Sequence, residues 1–188
     1  MSSFRHLIPN AITSLGFLLG IWALLATAGG RYEDAAWLIL ACVIVDKLDG
    51  TAARLLNASS SLGGQLDSLS DLVTFVVAPA VLWAAVLSAP GASFSGWPAA
   101  VIPYGAASVY ALAGALRLAR FNVEPDEGVL RSHFRGLATT MAGALSMSLY
   151  LTLDRHLPMS AWGPWAPPFL LGLGLLMVSG LLLPKLQR

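Results

Sequence analysis

Charge is scarce in this chain. Asp, Glu, Lys and Arg make up 11% of its 188 residues and hydrophobic residues 56%, with a mean hydropathy of +0.71. Soluble domains carry about 25% charged residues, so this balance indicates an integral membrane protein. The formal net charge is only +1 and no basic stripe runs along the chain, which argues against a nucleic-acid partner. Cysteine is nearly absent too. Cys42 stands alone, so an intrachain disulfide is excluded; placed in an apolar run, it reads as small core filler away from the polar positions.

What the chain does have is long apolar runs. Spanning a bilayer takes about twenty apolar residues, and six runs qualify: Ala11–Ala28, Ala35–Leu56, Leu69–Leu87, Ala99–Leu118, Leu137–Leu153 and Pro168–Leu183. The expected fold is therefore all-α and polytopic, with six transmembrane helices in a single domain over residues 1–188. Turn-like stretches separate the runs, the last being a Pro/Trp-rich segment from Pro158 to Pro168. Its Trp162 and Trp165 suit a headgroup-level aromatic belt. With six spans, Arg5, Lys47, Arg54, Arg117, Arg120, Arg131, Arg135, Lys185 and Arg188 share one side, against Arg31 and Arg155 on the other. Nine against two predicts both termini in the cytoplasm. Arg5, an apolar run and then Ala26-Thr27-Ala28 imitate a cleavable signal peptide. That run is long for such a peptide, and its removal would leave five spans with a poorer charge balance, so it is read as the first span.

Against this apolar background four aspartates converge. They are arranged as Asp46-x-x-Asp49-Gly50-x-x-Ala53-Arg54, eight residues, then Gly63-x-x-x-Asp67-x-x-x-Asp71. Each helical residue advances by about 100°, so Asp46 and Asp49 lie about 60° apart and Asp67 and Asp71 about 40° apart. Two helices joined through Leu55–Leu62 can point all four carboxylates into one space near the cytoplasmic surface. Carboxylates in hydrocarbon are costly and mark function. Without His or Cys beside them they select hard cations such as Mg²⁺, Mn²⁺ or Ca²⁺, and two such ions stabilise the attacking and leaving oxygens of a phosphoryl displacement. Gly50, Ala53 and Gly63 leave the backbone open to a substrate, Arg54 suits phosphate oxygens, and one carboxylate can take a proton from an attacking hydroxyl. Pairing of the acids with arginines as helix glue is the plainer alternative, but four aspartates face one nearby arginine.

The pattern resembles the signature of the CDP-alcohol phosphotransferases, which this chain matches at every fixed position. The resemblance implies a core of six transmembrane helices, commonly homodimeric, in the prokaryotic cytoplasmic membrane. It implies transfer of a substituted phosphate from a CDP-linked lipid to an alcohol, with release of CMP. By position, Asp46, Asp49, Asp67 and Asp71 would hold two divalent metals, Mg²⁺ or Mn²⁺, and Asp71 would also be the general base. Gly50, Ala53, Arg54 and Gly63 would contact the cytidine diphosphate portion.

Three further stretches resemble the short bacterial and archaeal phosphatidylserine synthases of that family: Ile8-Pro9-Asn10-Ala11-Ile12-Thr13, the run Gln65–Val73 with Val77-Ala78-Pro79-Ala80, and Ala115–Val123. This implies CDP-diacylglycerol and L-serine as substrates. The stretch Ala138-Thr139-Thr140-Met141-Ala142-Gly143 departs from the proline-bearing segment usual there, which leaves glycerol 3-phosphate, inositol phosphate or another small alcohol as alternative acceptors.

The remaining polar residues divide by position. Arg117 and Arg120 share a helix face and, with Asn122, fit recognition of phosphate or of the acceptor's carboxylate. Asn10 and Thr13 either cap the first helix or touch the nucleotide. Lys47 points about 100° away from Asp46 and snorkels. Arg131, His133 and Arg135 suit headgroup anchoring as well as catalysis, and Asp154, Arg155 and His156 read as loop on the far side. Two other classes fit less well. Membrane prenyltransferases also use aspartate-rich helices but need more spans, and a cation transporter would place acids near mid-membrane and in both halves.

Overall fold

The computed structural model of the chain describes residues 7–55, 61–96, 98–123 and 133–184. The helices in order are α1 (Leu7–Ala28), α2 (Tyr32–Leu55), α3 (Ser61–Asp71), a π-helical segment (Leu72–Val77), α4 (Ala78–Ser88), α5 (Val101–Val123), α6 (Thr139–His156), the one-turn α7 (Met159–Trp162) and, after a 3₁₀ turn, α8 (Ala166–Val178). The α1–α2 hairpin turns at Gly30, whose φ of 73° suits a residue without Cβ. Its closure, Gly30 N–H to the Thr27 carbonyl at 3.0 Å and Arg31 N–H to the Ala26 carbonyl at 2.9 Å, is a Schellman motif.

Among the described residues four helical stretches are long and apolar enough to cross a membrane: Ile8–Ala28, Leu62–Ser88, Val101–Val123 and Met159–Val178. This is an integral membrane protein, and its exposed side chains agree, with Leu18, Trp22, Ile44, Leu112 and Leu175 all facing outward. The two other expected spans coincide with α2 and α6, of 24 and 18 residues. They fall short on polarity rather than length, α2 because it carries Glu33, Asp34, Asp46, Lys47 and Asp49, and α6 because it ends in Asp154-Arg155-His156.

Three expectations need correcting. Leu182–Pro184 is a strand, not the end of a span, and pairs antiparallel with His133–Arg135, so one short two-stranded ladder (β1 and β2) interrupts the all-α fold. The Pro/Trp-rich segment is mostly helical, because Pro167 sits in the first turn of α8 where its missing N–H has no partner to lose. Trp162 belongs to no interfacial belt. It is 3% exposed and packs edge-on against Trp83 and Tyr150 at centroid distances of 5.8 and 6.2 Å. Trp165 remains exposed.

The π segment is the hub of the bundle and touches α1, α2, α4, α5 and α6. Pro79 has no N–H for the carbonyl of Phe75, four residues back, and the Ala78 N–H reaches the Val73 carbonyl, five back. Three glycines let neighbouring helices close on this segment. A Cβ at Gly20 of α1 would lie 2.5 Å from Thr74 Oγ1, at Gly114 of α5 2.6 Å from a Val76 methyl, and at Gly143 of α6 3.1 Å from Phe75 Cα.

Candidate active site

Asp71 is the last residue before the π segment, so the packing that grips Thr74, Phe75 and Val76 also holds the end of α3. Asp46 of α2 and Asp67 and Asp71 of α3 each bring a carboxylate oxygen within 4.8 Å of the others. The donor set is oxygen only, as a hard cation requires, and three carboxylates this close repel one another unless a cation or protons intervene. The residues present therefore fit a divalent metal.

Asp49 lines the same cavity from deeper in. It is 7% exposed, and one of its oxygens accepts a hydrogen bond from the Thr13 hydroxyl. Thr13 and Asn10 lie inside α1, which has begun by Leu7, so neither is an N-cap. All four aspartates thus line one cavity, three with carboxylate oxygens within 4.8 Å of one another and the fourth bonded to α1.

Cys42 is misplaced by the sequence reading. It is buried, as core filler would be, yet it lines the cavity with the aspartates rather than lying away from them. One turn before Asp46, its thiol donates to the Gly16 carbonyl at 3.7 Å. The i, i+4 relation of Cys42 to Asp46 was the signal available in the sequence.

Helix α5 reaches further than the expected span and carries Arg117, Arg120 and Asn122 as helical residues. Arg117 is half-buried; its charge acts on Asp71, and its Nε has no partner among the described residues. Arg120 is exposed on the next turn. The Asn122 side-chain oxygen accepts from the Ser68 hydroxyl at 3.0 Å, which docks the end of α5 beside Asp67. Ser68 and Ser70 escaped the sequence reading, although both flank signature aspartates.

A Cβ on Gly50 would meet nothing within 4 Å among the described residues, and Gly63 lies one turn before Asp67 on α3. Lys47 is exposed, as snorkelling requires. Ala53 and Arg54 fall in the last turn of α2, with side chains outside the described residues, as are Arg131 and the side chains of His133 and Arg135.

Residues 6–179 match the sequence profile of the CDP-alcohol phosphatidyltransferase family. The chain belongs to this family. Members use divalent metals, in keeping with the acidic cluster. Its relatives include the CDP-diacylglycerol–serine O-phosphatidyltransferase of Mycobacterium tuberculosis (strain H37Rv), 34% identical over 97% of this chain and 62% of the relative. The protein of that name in Bacillus subtilis is 31% identical, over 96% of this chain and 88% of the relative. The archaetidylserine synthase of Methanothermobacter thermautotrophicus is 33% identical over 77% of this chain and 58% of the relative. The chain thus spans about three fifths of the length of the mycobacterial relatives it matches.

Proposed function

We propose that this family member joins L-serine to the phosphatidyl group of CDP-diacylglycerol, giving phosphatidylserine and CMP. The observation that carries the reading is the convergence of Asp46, Asp67 and Asp71 within 4.8 Å, with the Arg117 charge acting on Asp71. Serine is the acceptor named for the mycobacterial and Bacillus relatives. Two divalent ions, Mg²⁺ or Mn²⁺, held among Asp46, Asp49, Asp67 and Asp71, would neutralise charge developing on the diphosphate.

The chain's own residues do the rest. Asp71 accepts the proton of the serine hydroxyl. The serine oxygen bonds to the lipid-side phosphorus while the bond from that phosphorus to the CMP oxygen breaks, and CMP departs with the electron pair. Gly50, Ala53, Arg54 and Gly63 border the nucleotide, with Gly50 leaving room for close approach. Asn10, in the first turns of α1 with Thr13, borders the nucleotide too. Arg117, Arg120 and Asn122 hold the acceptor's carboxylate at the end of α5, where a guanidinium fork suits two oxygens. Transfer is direct, because the Cys42 thiol is buried and bonded to the Gly16 carbonyl. The reading includes α2 and α6 as spans five and six beside the four apolar ones, a homodimer, and a site and both termini on the cytoplasmic side, supported by the nine-to-two split of Lys and Arg.

The deciding experiment is CMP release from CDP-diacylglycerol by purified protein in detergent with Mg²⁺ or Mn²⁺, offering serine, glycerol 3-phosphate and inositol phosphate separately. Release with serine alone is expected. Release with another acceptor would retain the chemistry and replace the substrate; release of pyrophosphate from a prenyl donor would overturn the chemistry.

A further inference from the structure

Thr13 lies in the second turn of α1 and is 6% exposed. Its single hydroxyl proton faces two acceptors, the Pro9 carbonyl at 3.1 Å and Oδ2 of Asp49. A carboxylate is the stronger acceptor, because a hydrogen bond to an ionised group is about twice as strong as a neutral one. The backbone around Thr13 makes the second connection. Ser70, next to Asp71, donates to the Thr13 carbonyl at 3.4 Å, and Thr74 donates to the Gly16 carbonyl at 3.4 Å. One stretch of α1 therefore sets both helices of the aspartate hairpin relative to each other.

We propose that Thr13 is a positioning residue that decides how Asp49 receives a cation. This rests on the divalent-metal reading above. With Oδ2 already accepting from the hydroxyl, the other oxygen of Asp49 is the one favoured for an ion, on a buried side chain that the same bond orients. A one-oxygen ligand suits a small six-coordinate ion. Ca²⁺ takes 6–8 oxygens and commonly both from one carboxylate, so the Thr13–Asp49 bond favours Mg²⁺ and Mn²⁺ over Ca²⁺. The bond makes Thr13 part of the selectivity of the site without contact to the ion.

The test is Mn²⁺ binding to the full chain in detergent, read from the electron paramagnetic resonance signal of free Mn²⁺, with Mg²⁺ and Ca²⁺ as competitors and no lipid present. Thr13→Val removes the hydroxyl at nearly constant volume. It is expected to weaken Mn²⁺ binding by about tenfold or more, the usual effect of losing a ligand's hydrogen-bond partner, and to raise the competitive strength of Ca²⁺ relative to Mg²⁺. Thr13→Ser should keep the parental values and Thr13→Ala should match Thr13→Val; that pair isolates the hydroxyl should the Val variant fail to fold. In an Asp49→Asn background Thr13→Val should change nothing further. Equal affinities and an unchanged competition order across Ser, Ala and Val would overturn the role of Thr13, as would an undiminished effect of Thr13→Val on Asp49→Asn. Absence of Mn²⁺ binding in the parent protein would overturn the metal reading itself.

Discussion

The Tyr110 hydroxyl donates to the Phe75 carbonyl at 3.0 Å. Pro79 stands four residues after Phe75 and has no N–H to give it, so a side chain of α5 serves a backbone acceptor that the α-helical pattern leaves orphaned. Tyr110 and Phe75 are both buried. Tyr110→Phe removes the donor alone and exposes the acceptor to the full penalty of burial without a partner, about 1–3 kcal/mol. Thermal unfolding in detergent should show a lower midpoint for this variant. An unchanged midpoint would mean that Phe75 is satisfied from within the π segment.

Gly114 and Val76 are packed so closely that a Cβ on the first would lie 2.6 Å from a methyl of the second. Valine is stiff at χ1 in a helix and cannot swing aside. Gly114→Ala should therefore destabilise the protein by about 1–3 kcal/mol, and adding Val76→Ala should recover part of that loss. A double variant no better than the single one would show that the strain falls on the backbone of α5 instead. The same variants bear on activity, because Val76 shares the π segment with the end of the helix that presents Asp71.

The acidic half of the site was legible in the sequence because its spacing is helical: Asp46, Asp67 and Asp71 meet as their positions on two helices predict. Asp49 was legible as a member of the site but not as a partner of Thr13, since nothing in a linear sequence says which face of α1 packs on α2. The π segment was hidden for a related reason. Pro79 announced a lost hydrogen bond, yet its consequence depends on Tyr110, thirty-one residues away in the chain. Trp162 misled because its neighbours are prolines and a glycine, which read as loop, whereas prolines in a first turn begin a helix. Helices α2 and α6 show how charged residues within or at the end of an apolar run erode the hydropathy by which a span is read.

Arg117 offers a test that separates two roles. Its charge acts on Asp71, while its Nε is buried with no partner among the described residues. As the acceptor's carboxylate anchor, it needs the guanidinium fork, which a lysine cannot reproduce. Arg117→Lys should raise the KM for serine about tenfold, the loss of one charge-assisted hydrogen bond, and leave the KM for CDP-diacylglycerol unchanged. A fall in kcat with both KM values intact would place Arg117 with Asp71 rather than with serine.

Asp71 carries the most demanding assignment, a ligand to metal and the base for the incoming hydroxyl at once. Asparagine keeps the shape and one oxygen but cannot accept the proton. Asp71→Asn should still bind CDP-diacylglycerol, measured by equilibrium binding of the labelled lipid in detergent, while CMP release falls by about 10²–10⁴-fold, the usual contribution of a positioned base. Chelation with EDTA should abolish release in the parent and readdition of Mg²⁺ or Mn²⁺ restore it, whereas neither ion should restore the variant. Lipid binding lost together with turnover would make Asp71 a substrate-binding residue before all else, and turnover retained would move the base to Asp67 or Asp46, whose carboxylate oxygens lie within 4.8 Å of its own.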